Sequence, residues 1–119
     1  VEATNGPRTI SIDVGWYLGI NGEAAIPDIF ALHQNYPNPF NPVTTIRYDV
    51  AEQAHVQMDI YNLLGQKVAV VVNGVHEPGF HAVRWNGTNM YGNALSSGMY
   101  FYHIQAGDFR NVKKLLLVK

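Results

Sequence analysis

Five histidines, His33, His55, His76, His81 and His103, are the side chains best suited to hold a metal ion. They are spread over a linker, three strand-like segments and a turn, and none forms the i, i+4 or His-x-His pair that supplies two ligands from one element. His81 shares a face with Val83 and Trp85, and His55 points the other way. Solvated or hydrogen-bonded roles are therefore favoured, because a ligand needs convergent partners.

Acid–base chemistry would fall to Asp49, Asp59 or Asp108. The first two sit on the polar faces of strand-like segments and the third in a tight turn, where Asp commonly bonds its own backbone. No insertion walls off a pocket around them, so the sequence does not predict the burial that makes a carboxyl catalytic. Ser11, Ser96 and Ser97 are the available hydroxyl nucleophiles, but "LSSGMY" lacks the G-x-S-x-G elbow. Asn86-Gly87-Thr88 fits a glycosylation acceptor and equally an ordinary turn. No cofactor, catalytic group or metal site emerges from these patterns.

Aromatic residues offer a different chemistry, since sugars stack on exposed rings. Most of Tyr36, Phe40, Tyr48, Tyr61, Trp85, Tyr100 and Tyr102 share a face with the aliphatic residues of their own segments, which favours core packing over a glycan platform. An accessory carbohydrate-binding module and a structural immunoglobulin-like spacer are the alternatives to the main reading below.

The elements that must position these residues can be read from the pattern. The chain has 119 residues, 47% hydrophobic and 14% charged, enough apolar surface for one folded domain and a tail. A net charge of -1 argues against nucleic acid as a partner. Even so, Arg110, Lys113, Lys114 and Lys119 concentrate positive charge at the C-terminal end. The chain has no cysteine, which removes disulfides and thiolate chemistry. No apolar run reaches the roughly 18 residues of a membrane span. The chain opens at Val1 without a charged-then-apolar leader, as in a mature protein or a piece of one.

Six segments alternate apolar and polar residues with period two. "TTIRYDV" places Ile46, Tyr48 and Val50 on one face, and "AHVQMDIY" places Val56, Met58 and Ile60 inward with Asp59 and Tyr61 outward. "QKVAVVV", "FHAVRWN" and "MYFYHIQA" follow, and Gly107-Asp108 turns the chain into "FRNVKKLLLVK". "NLLG" and "NGVHEPG" carry turn signals. A seventh strand could come from residues 9–14 or from a short element in the lead-in. These segments predict an all-β fold, an immunoglobulin-like antiparallel β-sandwich of about seven strands.

Ahead of them, residues 21–33 read as a linker. Residues 35–42, "NYPNPFNP", then pack three prolines and three asparagines into eight positions. Each proline fixes its own φ and biases the residue before it away from helix. The segment should be an extended lead-in, with Tyr36 and Phe40 as apolar pegs pinning it to the sandwich.

Together, "LHQNYPNPFNPVTTIRYDV", "VQMDIYNLLGQKVAVVV", "GFHAVRWNGTNMYGNALSSGMYFYHIQAGDF" and "KKLLLVK" resemble the type A C-terminal sorting domain of the type IX secretion system, over residues 32–119. The motif residues are Tyr36, Pro37, Asn38, Pro39, Phe40, Asn41 and Pro42; Tyr61, Asn62 and Gly65; Trp85 and Gly87; and Ser97, Gly98 and Tyr100. This chain has Trp-Asn-Gly where the family commonly has Trp-Asp-Gly.

The resemblance implies a non-enzymatic address label that takes a cargo through the periplasm and outer membrane to the surface or exterior. Its implied partners are the type IX translocon, shuttle proteins, a surface sortase and an N-terminal cargo domain. Residues 1–31 would then be the cargo's tail and a cleavable linker, and residues 32–119 the sorting domain. Val112, Lys113, Lys114, Leu115, Leu116, Leu117, Val118 and Lys119 match the part that the translocon reads. As an edge strand, this stretch could pair with a receptor strand or form a weak homodimer, and its loss should stop export while leaving the sandwich folded.

Overall fold

Thr44–Val50 forms a strand because its β-branched and aromatic residues alternate with polar ones, and the alternation is realised in burial: Thr44, Ile46, Tyr48 and Val50 face inward. The computed structural model describes residues 26–119. The strand-like segment at residues 9–14 lies outside the described residues.

Seven strands are present among the described residues: β1 Ala31–Leu32, β2 Thr44–Val50, β3 Ala54–Tyr61, β4 Lys67–His76, β5 Gly79–Trp85, β6 Gly98–Ala106 and β7 Phe109–Leu117. They form two antiparallel sheets, one in the order β1-β2-β5 and the other β4-β3-β6-β7. The sheets bury Ile46, Val50, Val56, Met58, Ile60, Tyr102, Ile104, Leu115 and Leu117 between them. Burying each such aliphatic chain contributes about 1.5–3 kcal/mol. The sandwich expected from periodicity is the observed fold.

The structure corrects three local expectations. The linker does not run through residue 33, because Ala31 and Leu32 pair with Asp49 and Tyr48 as an edge strand and Leu32 is buried. Two residues are too few to show a period. Asn73-Gly74 is no turn: β4 continues through it, with Asn73 opposite Gln57 and Gly74 opposite Val56. An Asn-Gly pair opens a hairpin only when its flanks pair with each other, and here both flanks pair with β3.

Asp59 is the third. Its phase is outward, between the inward Met58 and Ile60, yet it is buried. Gln57 Nε2 bonds both carboxylate oxygens and Lys67 Nζ lies 3.5 Å from one of them. The partners of Met58 and Asp59 jump from Val72 to Val70, a bulge that leaves Val71 extra. Across the bulge, the buried phase of β4 switches from Ala69 to Val72.

Candidate functional site

The proline-rich lead-in is held by a buried hydrogen-bond network whose centre is Tyr102. The Tyr102 hydroxyl donates to the His33 carbonyl at 2.7 Å and accepts the Asn35 amide at 2.9 Å. The Asn35 side-chain nitrogen donates to Thr44 Oγ1 and to the Pro37 carbonyl, and Thr44 donates to the same carbonyl. Asn35 and Thr44 are thus polar groups buried with their partners supplied. Burial pushes the Tyr102 hydroxyl up to about 12, against a smaller lowering by the Asn35 amide, so it stays neutral. Neither Asn35 nor Thr44 stood out in the sequence. The partner of the Asn35 amide lies 67 residues away and the side-chain bond to Thr44 spans 9, so neither leaves a local signal.

Past this network the lead-in lies along the outer edge of β7. Gln34 Nε2 donates to the Lys114 carbonyl at 2.7 Å, and Asn38 Oδ1 accepts the Leu116 amide at 3.0 Å. The Phe40 amide donates to the Leu116 carbonyl, and the Phe40 carbonyl accepts the Val118 amide. The second half of the last strand is therefore not a free edge.

Of the two expected pegs, only one is a peg. Phe40 is buried and its ring packs 5.6 Å from Trp85, which in turn meets Tyr100 edge-on. Tyr36 is 74% exposed and is fastened by its backbone instead, through a reciprocal pair of bonds with Thr45. A residue bonded through its backbone in an extended segment is free to turn its ring to water. The three X-Pro peptide bonds of the lead-in are cis.

The other motif residues gather around this junction. Gly87 has φ +74, so position 87 needs glycine for its conformation; a Cβ there would make ordinary contacts, 3.4 Å from Leu117 and 3.5 Å from the Pro42 carbonyl. Asn86 Oδ1 accepts the Thr88 hydroxyl at 2.7 Å, a bond that an aspartate oxygen would accept equally. Ser97 Oγ accepts the Lys119 amide, and the Tyr100 hydroxyl donates to the Ser96 carbonyl. Gly98 opens β6 opposite Leu117.

Tyr61 ends β3 at the same end of the sandwich, in a row with Phe101 and Lys114. The turn after it is closed by Asn62, whose side chain accepts the Leu64 and Gln66 amides, and by Gly65 at φ +81. Tyr36 to Pro42, Trp85, Gly87, Ser97, Gly98 and Tyr100 thus gather at the end of β7, and the Tyr61–Gly65 turn lies at the same end of the sandwich, with β6 between it and β7.

Within the terminal stretch, Leu115 and Leu117 are core residues, Leu116 and Lys113 are half-buried, and Val112, Lys114, Val118 and Lys119 are exposed. Removing the last residues would therefore remove core, contrary to the expectation that the sandwich would survive the loss.

Elsewhere, His76 and His81 come within 4.9 Å, centroid to centroid, beside Tyr48. Their nitrogens bond the Gly74 and Glu77 carbonyls and the Tyr48 hydroxyl. His33 bonds Asp49 at 3.0 Å. Among the described residues, no three metal-ligating side chains converge. The exposed rings Tyr36, Phe80 and Tyr91 stand apart, in the lead-in, at the start of β5 and in the loop before β6, so they form no stacking row. The open hollow beside Phe80, about 340 Å³, is lined by His33, Arg47, Asp49, His81 and Ala82.

Comparison with known proteins bears on this end of the sandwich. Among solved structures, dimeric latent PorU from Porphyromonas gingivalis is similar at a TM-score of 0.63, with 20% identity over 81% of this chain and 10% of that one. PorZ, described as an essential surface component of the type-IX secretion system of the same organism, is similar at 0.52, with 21% identity over 74% of this chain and 11% of that one. This chain spans about a tenth of the length of either, and at these identities the likeness is one of fold. No curated protein matches. The model of the secretion system C-terminal sorting domain matches residues 34–119, from the Gln34 that bonds β7 to Lys119 itself. The chain belongs to that family, and its sandwich is a C-terminal sorting signal for type IX secretion.

Proposed function

We propose that the machinery reads the end of the sandwich where the lead-in closes onto β7, and that the domain is a label without catalysis of its own. A sorting domain implies a secretion system and an N-terminal cargo bound for the cell surface or exterior. The finer reading assigns the shuttle proteins and translocon as partners and a surface sortase as the cleaving enzyme. The observation that carries it is that the lead-in and Ser97 bond the end of β7 beside exposed Lys114, Val118 and Lys119.

The junction between cargo and label falls ahead of Ala31, because from there the chain is paired into the sheet. A cut in residues 21–30 would release the cargo and leave the label folded. Residues up to about 30 then belong to the cargo's tail and the linker.

The test is a fluorescent reporter with an export leader fused to residues 21–119, produced in a type IX-competent bacterium. It is compared with the same fusion carrying Lys114→Glu, Val118→Asp and Lys119→Glu, which leave Leu115 and Leu117 in place. Loss of surface delivery with an unchanged thermal unfolding midpoint is the expected result. Undiminished delivery would overturn the reading.

A further inference from the structure

The lead-in covers only half of the edge it lies on. In β7 the residues whose backbone faces away from β6 are the even-numbered ones, as the outward bonds of Lys114, Leu116 and Val118 show. The same parity turns the amides of Arg110, Val112 and Lys114 and the carbonyls of Arg110 and Val112 outward. Among the described residues, the one bond to this set is from the Val112 amide to the neighbouring Asn111 Oδ1 at 2.8 Å. Such local bonds are readily exchanged. Among the described residues, the first half of β7 is thus a short run of ladder groups without a partner strand, bounded by the Gly107–Asp108 turn at one end and Gln34 at the other.

The side chains along this run have a pattern. Leu115 and Leu117 place the odd-numbered positions on the core face, so Arg110, Val112 and Lys114 lie on the outer face, and all three are exposed. No salt bridge to Arg110 or Lys114 is found among the described residues. A lysine alone suffices to blunt an edge strand, and Lys113, in the inward phase, already does so. An exposed valine between two cations that form no salt bridge among the described residues is what a partner strand would recognise.

We infer that Arg110–Lys114 is a strand-addition site for an extended protein segment that presents acidic, apolar and acidic side chains at alternate positions. Residues opposite one another in a β-ladder share a face, so such a segment sets its acids against Arg110 and Lys114 and its apolar residue against Val112. Charge also decides against a second copy of this chain. Antiparallel self-pairing about Val112 would put Arg110 opposite Lys114 twice, and like charges directly opposite destabilise a ladder. The inference shares Lys114 with the proposed function but is read by peptide binding to the isolated chain and not by surface delivery, so binding can fail while the terminal variants still block delivery, and the reverse.

The experiment uses the 119-residue chain and a labelled peptide, Thr-Glu-Thr-Val-Thr-Glu-Thr, followed by fluorescence anisotropy and by amide hydrogen exchange. Binding should weaken with salt and slow exchange at Arg110 and Lys114. Replacing both glutamates of the peptide by lysine should weaken binding at least about tenfold, two unfavourable cross-strand pairs replacing two favourable ones. Val112→Pro should abolish binding yet leave the fold intact, because it removes an amide that faces away from β6. The double variant Arg110→Glu, Lys114→Glu should prefer the lysine peptide. Equal binding of both peptides, full binding by the proline variant, or no binding to the folded chain would overturn the inference. So would self-association of the chain, or Arg110 and Lys114 amides already slow to exchange without peptide.

Discussion

The Phe40 amide donates to the Leu116 carbonyl at 3.0 Å, so a residue before the first long strand completes the edge of the last. That bond, with the return bond from the Val118 amide to the Phe40 carbonyl, makes the beginning and the end of the sorting domain a single structural unit. The lead-in is a strap across the end of β7, and its stiffness lowers the entropic cost of laying it there.

Phe40→Ala should therefore cost about 3–5 kcal/mol, the usual range for emptying a fully buried aromatic site. Urea unfolding gives the number. Hydrogen exchange should show the Leu116 and Val118 amides, which the lead-in covers, losing protection ahead of the β3–β6 ladder. Uniform loss across both would mean that the strap has no local role.

Tyr102→Phe removes one hydroxyl and strands two backbone groups, the Asn35 amide and the His33 carbonyl. An unsatisfied buried polar group costs about 1–3 kcal/mol, so a loss in that range is expected at neutral pH. A change below about 0.5 kcal/mol would indicate that water takes over both bonds.

Alkaline pH should expose the same tyrosine. Its hydroxyl titrates at about 12 in the fold against 10.0 for an unperturbed tyrosine, and Tyr48 is also raised, by burial. Because the folded values are the higher ones, the unfolded chain gives up these protons first. Stability is therefore fully present below pH 10 and falls as the pH rises toward 12. Urea midpoints measured across that window should decline less steeply in Tyr102→Phe than in the parent chain; parallel curves would contradict the assignment.

At Gly87, alanine meets an unfavourable backbone angle, while its Cβ would make only ordinary contacts with Leu117 and the Pro42 carbonyl. Gly87→Ala should lose about 1–2 kcal/mol from the left-handed conformation alone, read as a lowered thermal midpoint. Gly74→Ala is the contrast, since a Cβ there meets nothing within 4 Å and the backbone angle is ordinary. Equal losses at the two sites would show that the angle does not matter.

Period-two alternation by itself determined the class of fold. Ile46, Tyr48 and Val50, or Tyr100, Tyr102 and Ile104, fall on the core face because successive side chains of a strand must point to opposite sides, and that rule needs no knowledge of neighbours. Turn chemistry was equally local where one residue carries it, as at Gly65 and Gly107. What only the tertiary structure decided depends on which strand lies beside which. Asn73-Gly74 reads as a turn until β3 pairs across it, and Asp59 reads as solvated until Gln57 and Lys67 cover it. Tyr36 and Phe40 look alike in sequence, and only Phe40 meets Trp85. The largest such decision is at the C-terminus. Nothing within "KKLLLVK" says that Leu115 and Leu117 are core, that Gln34, Asn38 and Phe40 occupy its outer edge, or that the edge left open among the described residues lies upstream, from Arg110 to Lys114. Backbone groups carry no residue-specific signal, so their partners become known only when the chain has brought its distant ends together.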